Sequence, residues 1–168
     1  YVRKYQGDWN GAISLMNESI ILFEAVDDQQ ALGIVLNDLA SVYEDVGDID
    51  KAVGLYLKSQ IHRELSEDTA GLAYSYNNLG LLYKRQGLLS DATNQYIKAR
   101  DLFRIVNDSV GIALLLNNMG VLFNNENQLD SALMYYQESL RIREIIGDNR
   151  GLSHSLGNIG VVLEKLDR

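Results

Sequence analysis

The sequence predicts an all-α protein in which a pair of antiparallel helices is repeated along the chain. Its 168 residues include no proline, and a chain of this length without a helix breaker is most easily helical. Residue types recur at intervals of forty without insertion or deletion, which is typical of stacked repeat proteins. Within each interval, apolar residues follow helical spacing, so we expect two helices in every repeat.

Several sets of residues carry the forty-residue period. The main sets are Asp28, Asp68, Asp108 and Asp148; Ala12, Ala52, Ala92 and Ala132; Tyr56, Tyr96 and Tyr136; and Gly80, Gly120 and Gly160, with Ala40 in the fourth place. The period divides residues 1–168 into complete blocks at 31–70, 71–110 and 111–150, and partial blocks at 1–30 and 151–168. Because the chain starts at Tyr1 and not at Met, we expect this single array to be a fragment of a longer protein.

The first helix of each block is predicted from one buried stripe. In residues 71–86 the stripe has the i, i+3, i+4, i+7 spacing of an amphipathic helix; its members are Tyr76, Leu79, Gly80 and Tyr83. The recurring aspartates stand where N-caps of first helices are expected. A left-handed C-cap is expected at the other end, on glycine or asparagine; the residues are Gly7, Gly47, Gly87 and Asn127.

The second helix of each block is predicted in the same way. In residues 91–106 the stripe consists of Ala92, Tyr96, Ala99 and Phe103. Residues with good N-cap chemistry lie before these helices; they are Asn10, Asp50, Ser90 and Asp130. Because the turns are only a few residues long, successive helices must be antiparallel neighbours.

Small residues recur where two helices are expected to approach most closely. One hairpin cannot bury both of its faces, so neighbouring hairpins must stack. The predicted structural positions are Gly80, Gly120 and Gly160 in first helices, and Ala52, Ala92 and Ala132 in second helices.

The spacing of Gly80, Tyr83, Ala92 and Tyr96 resembles the tetratricopeptide repeat (TPR) pattern. The usual repeat has about 34 residues, whereas this one has forty and lacks both the early tryptophan and the terminal proline. It is similar to the long-repeat arrays of bacterial signalling and regulatory proteins, kinesin light chains and spindle-orientation adaptors. The resemblance implies an α-solenoid, a right-handed superhelix whose first helices line the concave side.

The candidate binding surface is the face of each first helix that lies opposite the buried stripe. At about 100° per residue, Tyr74, Asn78, Leu81 and Arg85 share that face in one block, and matching positions share it in the others. The candidate peptide-binding residues are Asp38, Tyr74, Asn78, Leu81, Arg85, Leu114, Asn118, Val121, Asn125, His154, Asn158 and Lys165.

This surface combines an apolar strip with a ladder of amides. An amide offers both donors and acceptors, which suits the backbone of an extended peptide, and the resemblance implies such a use. Alternatively, each asparagine ties adjacent helices together, and Leu81 and Val121 simply pack between first helices. We expect Asn77 to tie helices and Asn78 to face a ligand. Asp38 and Asp45 make the early end of the surface acidic, which favours a ligand with a basic segment.

Composition and motifs point away from other functional classes. A net charge of −8 does not suit nucleic-acid binding, and no hydrophobic run is long enough to insert into a membrane. Cysteine is absent. The acidic pairs fall at inter-repeat turns, where capping explains them, and His62 and His154 have no second ligand at helical spacing. We therefore expect no catalytic residue, metal or cofactor.

The sequence thus predicts a non-enzymatic module that binds an extended peptide or protein segment in a concave groove. By resemblance, it would act within a signalling or regulatory protein, and we expect a cytoplasmic location. Two alternatives remain open: a scaffold that self-assembles or dimerises, giving a homo-oligomer, and a sensor arm that regulates an enzyme domain outside this fragment.

Overall fold

The computed structural model describes residues 9–166, which form eight helices and no strand. The all-α prediction is confirmed, and each complete block holds two helices as expected. The even-numbered helices are the first helices of their blocks and the odd-numbered ones are the second helices. The bounds are α1 Trp9–Ala25, α2 Gln29–Val46, α3 Ile49–Leu65, α4 Thr69–Arg85, α5 Leu89–Ile105, α6 Ser109–Asn125, α7 Leu129–Ile146 and α8 Asn149–Lys165.

The chain is divided into two compact units whose boundary lies inside α4, between Leu79 and Gly80. In the first unit α1 packs against α2, and α2 packs against α3. In the second unit α5 packs against α6, α6 against α7, and α7 against α8. Helices that follow one another along the chain are therefore packed neighbours, which is the predicted hairpin arrangement.

The caps of the first helices are confirmed. Each recurring aspartate accepts a hydrogen bond from the backbone N–H three residues later; the donors are Ala31, Gly71, Gly111 and Gly151, at 2.8–2.9 Å. The first helices end in the left-handed conformation at Gly47, Gly87 and Asn127, with φ of 87°, 76° and 58°. Gly7 lies outside the described residues.

The prediction of N-caps for the second helices is wrong. Helices α3, α5 and α7 begin at positions 49, 89 and 129, so the predicted caps lie inside the first turn; they are Asp50, Ser90 and Asp130, and Asn10 likewise lies inside α1. The residue that begins each of these three helices is apolar and half-buried. Asp48 caps α3 instead, whereas Leu88 and Gln128 cap without a side-chain bond.

The second helices are followed by left-handed residues that are not among the predicted C-caps. Asp27, Glu67 and Asn107 have φ of 54–55°, and Gly147 has φ of 72°. Asparagine and glycine tolerate this region, whereas Glu67 is an uncommon residue there.

The buried core joins the small residues of one helix to the tyrosines of the next. Ala52, Ala92 and Ala132 are all fully buried. A Cβ on Gly80 would lie 2.6 Å from Tyr96 Cε1, and one on Gly120 would lie 2.5 Å from Tyr136 Cε1.

Gly160 differs from the other two glycines of its series. It is exposed, and a Cβ there would have no neighbour within 4 Å among the described residues. The close approach expected from the sequence therefore does not occur at this position, because no described helix packs over it.

Candidate functional site

In the first unit the predicted surface residues are Asp38, Tyr74 and Asn78. Asp38 is exposed and the other two are half-buried. The Asn78 side-chain amide donates to Asn37 Oδ1 at 3.2 Å, and the Ser75 hydroxyl donates to the same oxygen at 3.4 Å. Asn78 thus links α4 to α2, which is the helix-tying role predicted for its neighbour Asn77.

In the second unit the same kind of link joins α8 to α6. The Asn158 side-chain amide donates to Asn117 Oδ1, and Lys165 Nζ donates to Asn124 Oδ1, both at 2.9 Å. Each link, like that of Asn78, spans forty-one residues. First helices of successive blocks are therefore tied by side chains on the predicted surface.

The other predicted residues of the second unit differ in exposure. Asn118 is only 9% exposed, so little of its side chain can meet a ligand. Asn158 is half-buried. The apolar residues Leu81, Leu114 and Val121 are half-buried, whereas other polar residues of the surface are exposed; these are Arg85, Asn125, His154 and Lys165.

A pocket of about 310 Å³ lies between α6, α7 and α8. It contains three residues predicted to bind a ligand, and its other wall carries two arginines and an aspartate. The lining includes Leu114, Asn117, His154 and Asn158, with Arg143, Asp148 and Arg150. The pocket therefore coincides with part of the predicted surface.

Two buried arginines are not among the residues predicted from the sequence. In the first unit Arg63 is 8% exposed. Its Nη1 donates to Asp68 Oδ2 at 2.8 Å, and its Nε donates to Ser59 Oγ at 3.3 Å and more weakly to Gly33 O. Burial lowers the pKa of the Arg63 guanidinium, and the charge of Asp68 opposes that shift.

Arg143 occupies the same place in the second unit and is 6% exposed. Its Nη1 donates to Gly151 O, but its Nε has no hydrogen-bond acceptor among the described residues. Asp148 Oδ2 lies 3.8 Å from that Nε, close enough for ionic attraction but too far for a hydrogen bond. Burial lowers the pKa of Arg143, against the effect of Asp148.

The sequence does contain a pattern that could have revealed these arginines: at this repeat position phenylalanine and arginine alternate, so the arginines recur at twice the repeat length. The alternating series is Phe23, Arg63, Phe103 and Arg143. Each of the last three residues of this series is followed eight positions later by a glycine; these glycines are Gly71, Gly111 and Gly151. A Cβ atom on any of them would overlap the side chain of the paired residue, Arg63, Phe103 or Arg143.

The described part of the chain shows neither a metal site nor a membrane span. Residues 9–166 contain no group of three or more side chains that could hold a metal ion. Within the same residues, no helix is long and apolar enough to cross a membrane.

Comparison with known proteins identifies the repeat. Residues 72–108 and 112–148 match the family described as tetratricopeptide repeat. These two segments are therefore similar to tetratricopeptide repeats. This confirms the resemblance of the sequence pattern, and such repeats generally serve as protein–protein interaction modules. A comparison with curated protein sequences gave no significant match.

Solved structures support the fold. BtubC (BKLC) from P. vanneervenii is similar over 96% of this chain and 68% of its own, with 24% identity and a TM-score of 0.86. A putative kinesin light chain from Podosopora anserina with nearly identical TPR-like repeats is similar over 96% of this chain and 90% of its own, with 12% identity and a TM-score of 0.65. At these identities the likeness concerns the fold alone.

Proposed function

We propose that the second unit binds an extended peptide segment of a protein partner on the exposed face of its first helices. The observation that carries this proposal is the pocket between α6, α7 and α8, which opens on that face and is lined by Leu114, His154 and Asn158. Peptide recognition requires such a combination of apolar depressions for side chains and polar groups for orientation.

The apolar part of the surface supports the proposal. Leu81, Leu114 and Val121 are half-buried, so each keeps some apolar area in contact with water. Covering that area with side chains of a peptide would be favourable by roughly 25 cal/mol per Å². These residues lie on helices held by the core and would need little reordering on binding.

The polar part gives the asparagines different roles. Asn158 uses one side-chain N–H on Asn117 and keeps its second N–H and its oxygen for a peptide backbone. Asn118 is too buried to share that role. For Asp38, Tyr74 and Asn78 in the first unit, peptide binding remains a separate prediction.

The experiment starts from peptides selected out of a displayed random library on the wild-type protein. Leu114→Ala and His154→Ala should each weaken binding of a selected peptide about five- to thirtyfold, because each removes a contact worth about 1–2 kcal/mol. Met134→Ala is the matched control, since Met134 is exposed on α7 and does not line the pocket. Fluorescence anisotropy measures the affinity.

Two measurements distinguish a lost peptide contact from misfolding and from self-assembly. Thermal melting of each variant detects a folding defect, and light scattering across concentration detects self-assembly. If no peptide is selected, or if Met134→Ala weakens binding as much as Leu114→Ala, the proposal fails. A concentration-dependent dimer that loses peptide binding as it forms would instead support the scaffold alternative.

A further inference from the structure

We propose that the pocket between α6, α7 and α8 takes the carboxylate of an acidic side chain, Asp or Glu, of the bound peptide. This inference rests on the proposed function and adds to it the chemical class of one ligand group. The carboxylate would lie between the buried guanidinium of Arg143 and the exposed side chains of Arg150 and His154.

The first argument is the unpartnered donor of Arg143. This side chain is more than nine-tenths buried, lines the pocket, and has an Nε–H without an acceptor among the described residues. A buried donor without a partner is destabilising, because it has lost its bonds to water and gained none in exchange. The Nε–H itself is enclosed by protein atoms, so a ligand carboxylate would act on Arg143 through the charge of its guanidinium, since the side chain lines the pocket. A carboxylate placed there would compensate the buried positive charge.

The corresponding arginine of the first unit shows that an unpartnered Nε–H is not a general property of the repeat. The Nε of Arg63 donates to Ser59 Oγ at 3.3 Å. Around Arg143 the matching serine is Ser139, whose hydroxyl donates to Ala113 O at 2.7 Å. Ser139 therefore does not satisfy the Nε of Arg143.

The second argument is the charge around the pocket opening. Arg150 and His154 are both exposed and add a guanidinium and an imidazole to the pocket lining. The equivalent positions in the two preceding blocks hold neither arginine nor histidine; they are Ala70 and Val110, and Tyr74 and Leu114. Arg143, Arg150 and His154 thus occur together here and not at the equivalent positions of the two preceding blocks.

One acidic group also lines the pocket, and it is already engaged. Asp148 Oδ1 accepts the backbone N–H of Gly151 at 2.8 Å as the N-cap of α8. Its Oδ2 lies 3.8 Å from Arg143 Nε. One carboxylate therefore faces two guanidinium groups, so the pocket is locally cationic on a chain whose net charge is −8.

A carboxylate fits this arrangement better than a neutral group does. Guanidinium groups present their N–H donors in a planar fork that matches the two oxygens of a carboxylate. Asn158 adds its second side-chain N–H at the same wall. The positive charge of the pocket would also attract the acidic residue of the peptide, whereas the negative charge of the rest of the chain would repel it.

The test titrates isotope-labelled wild-type protein with inorganic phosphate and with two probes whose α-carboxylate is blocked as the methylamide. The first probe is N-acetylglutamate, which then carries only its side-chain carboxylate, and the second is N-acetylglutamine, which is then neutral. The Arg143 Nε–H resonance is followed by NMR. N-acetylglutamate should shift this resonance saturably, and N-acetylglutamine should not. The double variant Arg150→Ala, His154→Tyr copies Ala70 and Tyr74 and should weaken the effect at least about tenfold, since hydrogen bonds to charged groups are lost. Arg141→Ala removes an exposed arginine of α7 outside the pocket and should change nothing.

Each outcome decides the inference. Saturable binding of N-acetylglutamate that the double variant loses supports it. The inference is overturned if neither anion shifts the resonance, if the double variant binds as the wild type does, or if phosphate binds and N-acetylglutamate does not. Because these probes need no peptide, a failed peptide selection with intact N-acetylglutamate binding would refute the proposed function and leave the carboxylate pocket standing.

Discussion

Two contacts between successive blocks use the same repeat positions, but one is formed by polar side chains and the other by apolar side chains. Where α3 meets α4 in the first unit, Ser59, Ser75 and Arg63 are buried, and the two hydroxyls lie 3.1 Å apart. Where α5 meets α6 in the second unit, the same positions hold Ala99, Leu115 and Phe103, all fully buried. One backbone arrangement therefore accepts either a hydrogen-bonded guanidinium or a benzyl group.

The comparison teaches that the true sequence period of these contacts is eighty residues. The α7–α8 contact returns to the polar version, with Ser139, Arg143 and Ser155 buried. In both versions a glycine eight residues after the large side chain makes room for it. The polar version depends on every partner being present, because a buried charge without its partner is costly, whereas the apolar version depends only on shape.

The largest expected effect comes from removing the acid of the polar version. Asp68→Ala should lower the free energy of unfolding by about 3–5 kcal/mol, because it leaves Arg63 buried without its carboxylate. Asp108→Ala is the matched variant of the apolar version. It loses the N-cap bond to Gly111 and should cost about 1 kcal/mol. Urea denaturation at neutral pH measures both variants.

Comparing Asp68→Ala with Asp108→Ala separates the ionic contribution of Asp68 from its contribution as an N-cap. Equal losses in the two variants would mean that Asp68 acts only as an N-cap and that Arg63 gains nothing measurable from it. The double variant Asp68→Ala, Arg63→Met should recover part of the loss, since it removes the uncompensated charge together with its partner.

The next effect has the opposite sign. The triple variant Ser59→Ala, Arg63→Phe, Ser75→Leu converts the polar contact into a copy of the apolar one. Replacing a buried ion pair by well-packed apolar groups is often stabilising by about 1–4 kcal/mol, so the urea midpoint should rise. A lower midpoint would show that the backbone of the first unit differs enough to reject Phe, and the equivalence of the repeat positions would then hold only for the sequence.

These contacts also show how far the sequence predicts the structure. The helices, the aspartate caps and the left-handed ends at Gly47, Gly87 and Asn127 follow from local rules, since each rule involves residues close in the chain. Capping preference alone does not place the start of α3, because Asp48 and Asp50 both suit an N-cap and only Asp48 serves as one.

The candidate site was less predictable, because its decisive bonds join residues far apart in the chain. The helical spacing places Asn78 and Asn158 on the predicted face of their helices. It could not show that each donates to an asparagine forty-one residues earlier. Arg143 lines the pocket from a second helix, whereas the predicted surface consists of first-helix residues only.

A third prediction concerns one glycine series with two environments. Gly80→Ala should cost about 1–3 kcal/mol, because its methyl group would meet the Tyr96 ring and overpack the core. Gly160→Ala should stabilise by up to about 1 kcal/mol, because alanine has a higher helix propensity and nothing described lies within 4 Å. Thermal melting compares the two; equal destabilisation would contradict the difference in packing.

The smallest effect concerns two tyrosines at one repeat position. The Tyr56 hydroxyl donates to Glu44 Oε2 at 3.2 Å, whereas the buried Tyr96 hydroxyl has no acceptor among the described residues. Lys84 stands where Glu44 stands one block earlier. Tyr56→Phe should therefore cost about 1 kcal/mol, and Tyr96→Phe should be neutral or slightly stabilising.

The pH dependence of the Tyr96 variant makes this contrast sharper. Burial raises the pKa of Tyr96 above its ordinary value of 10.0, because ionisation would place an uncompensated phenolate in the core. The neutral phenol thus contributes stability that is present below pH 10 and is lost as the pH rises above it. Urea midpoints measured from about pH 8 to about pH 11 should fall less for Tyr96→Phe than for the wild type. Parallel curves would mean that the Tyr96 hydroxyl reaches water after all, and the unpartnered group would then carry no cost.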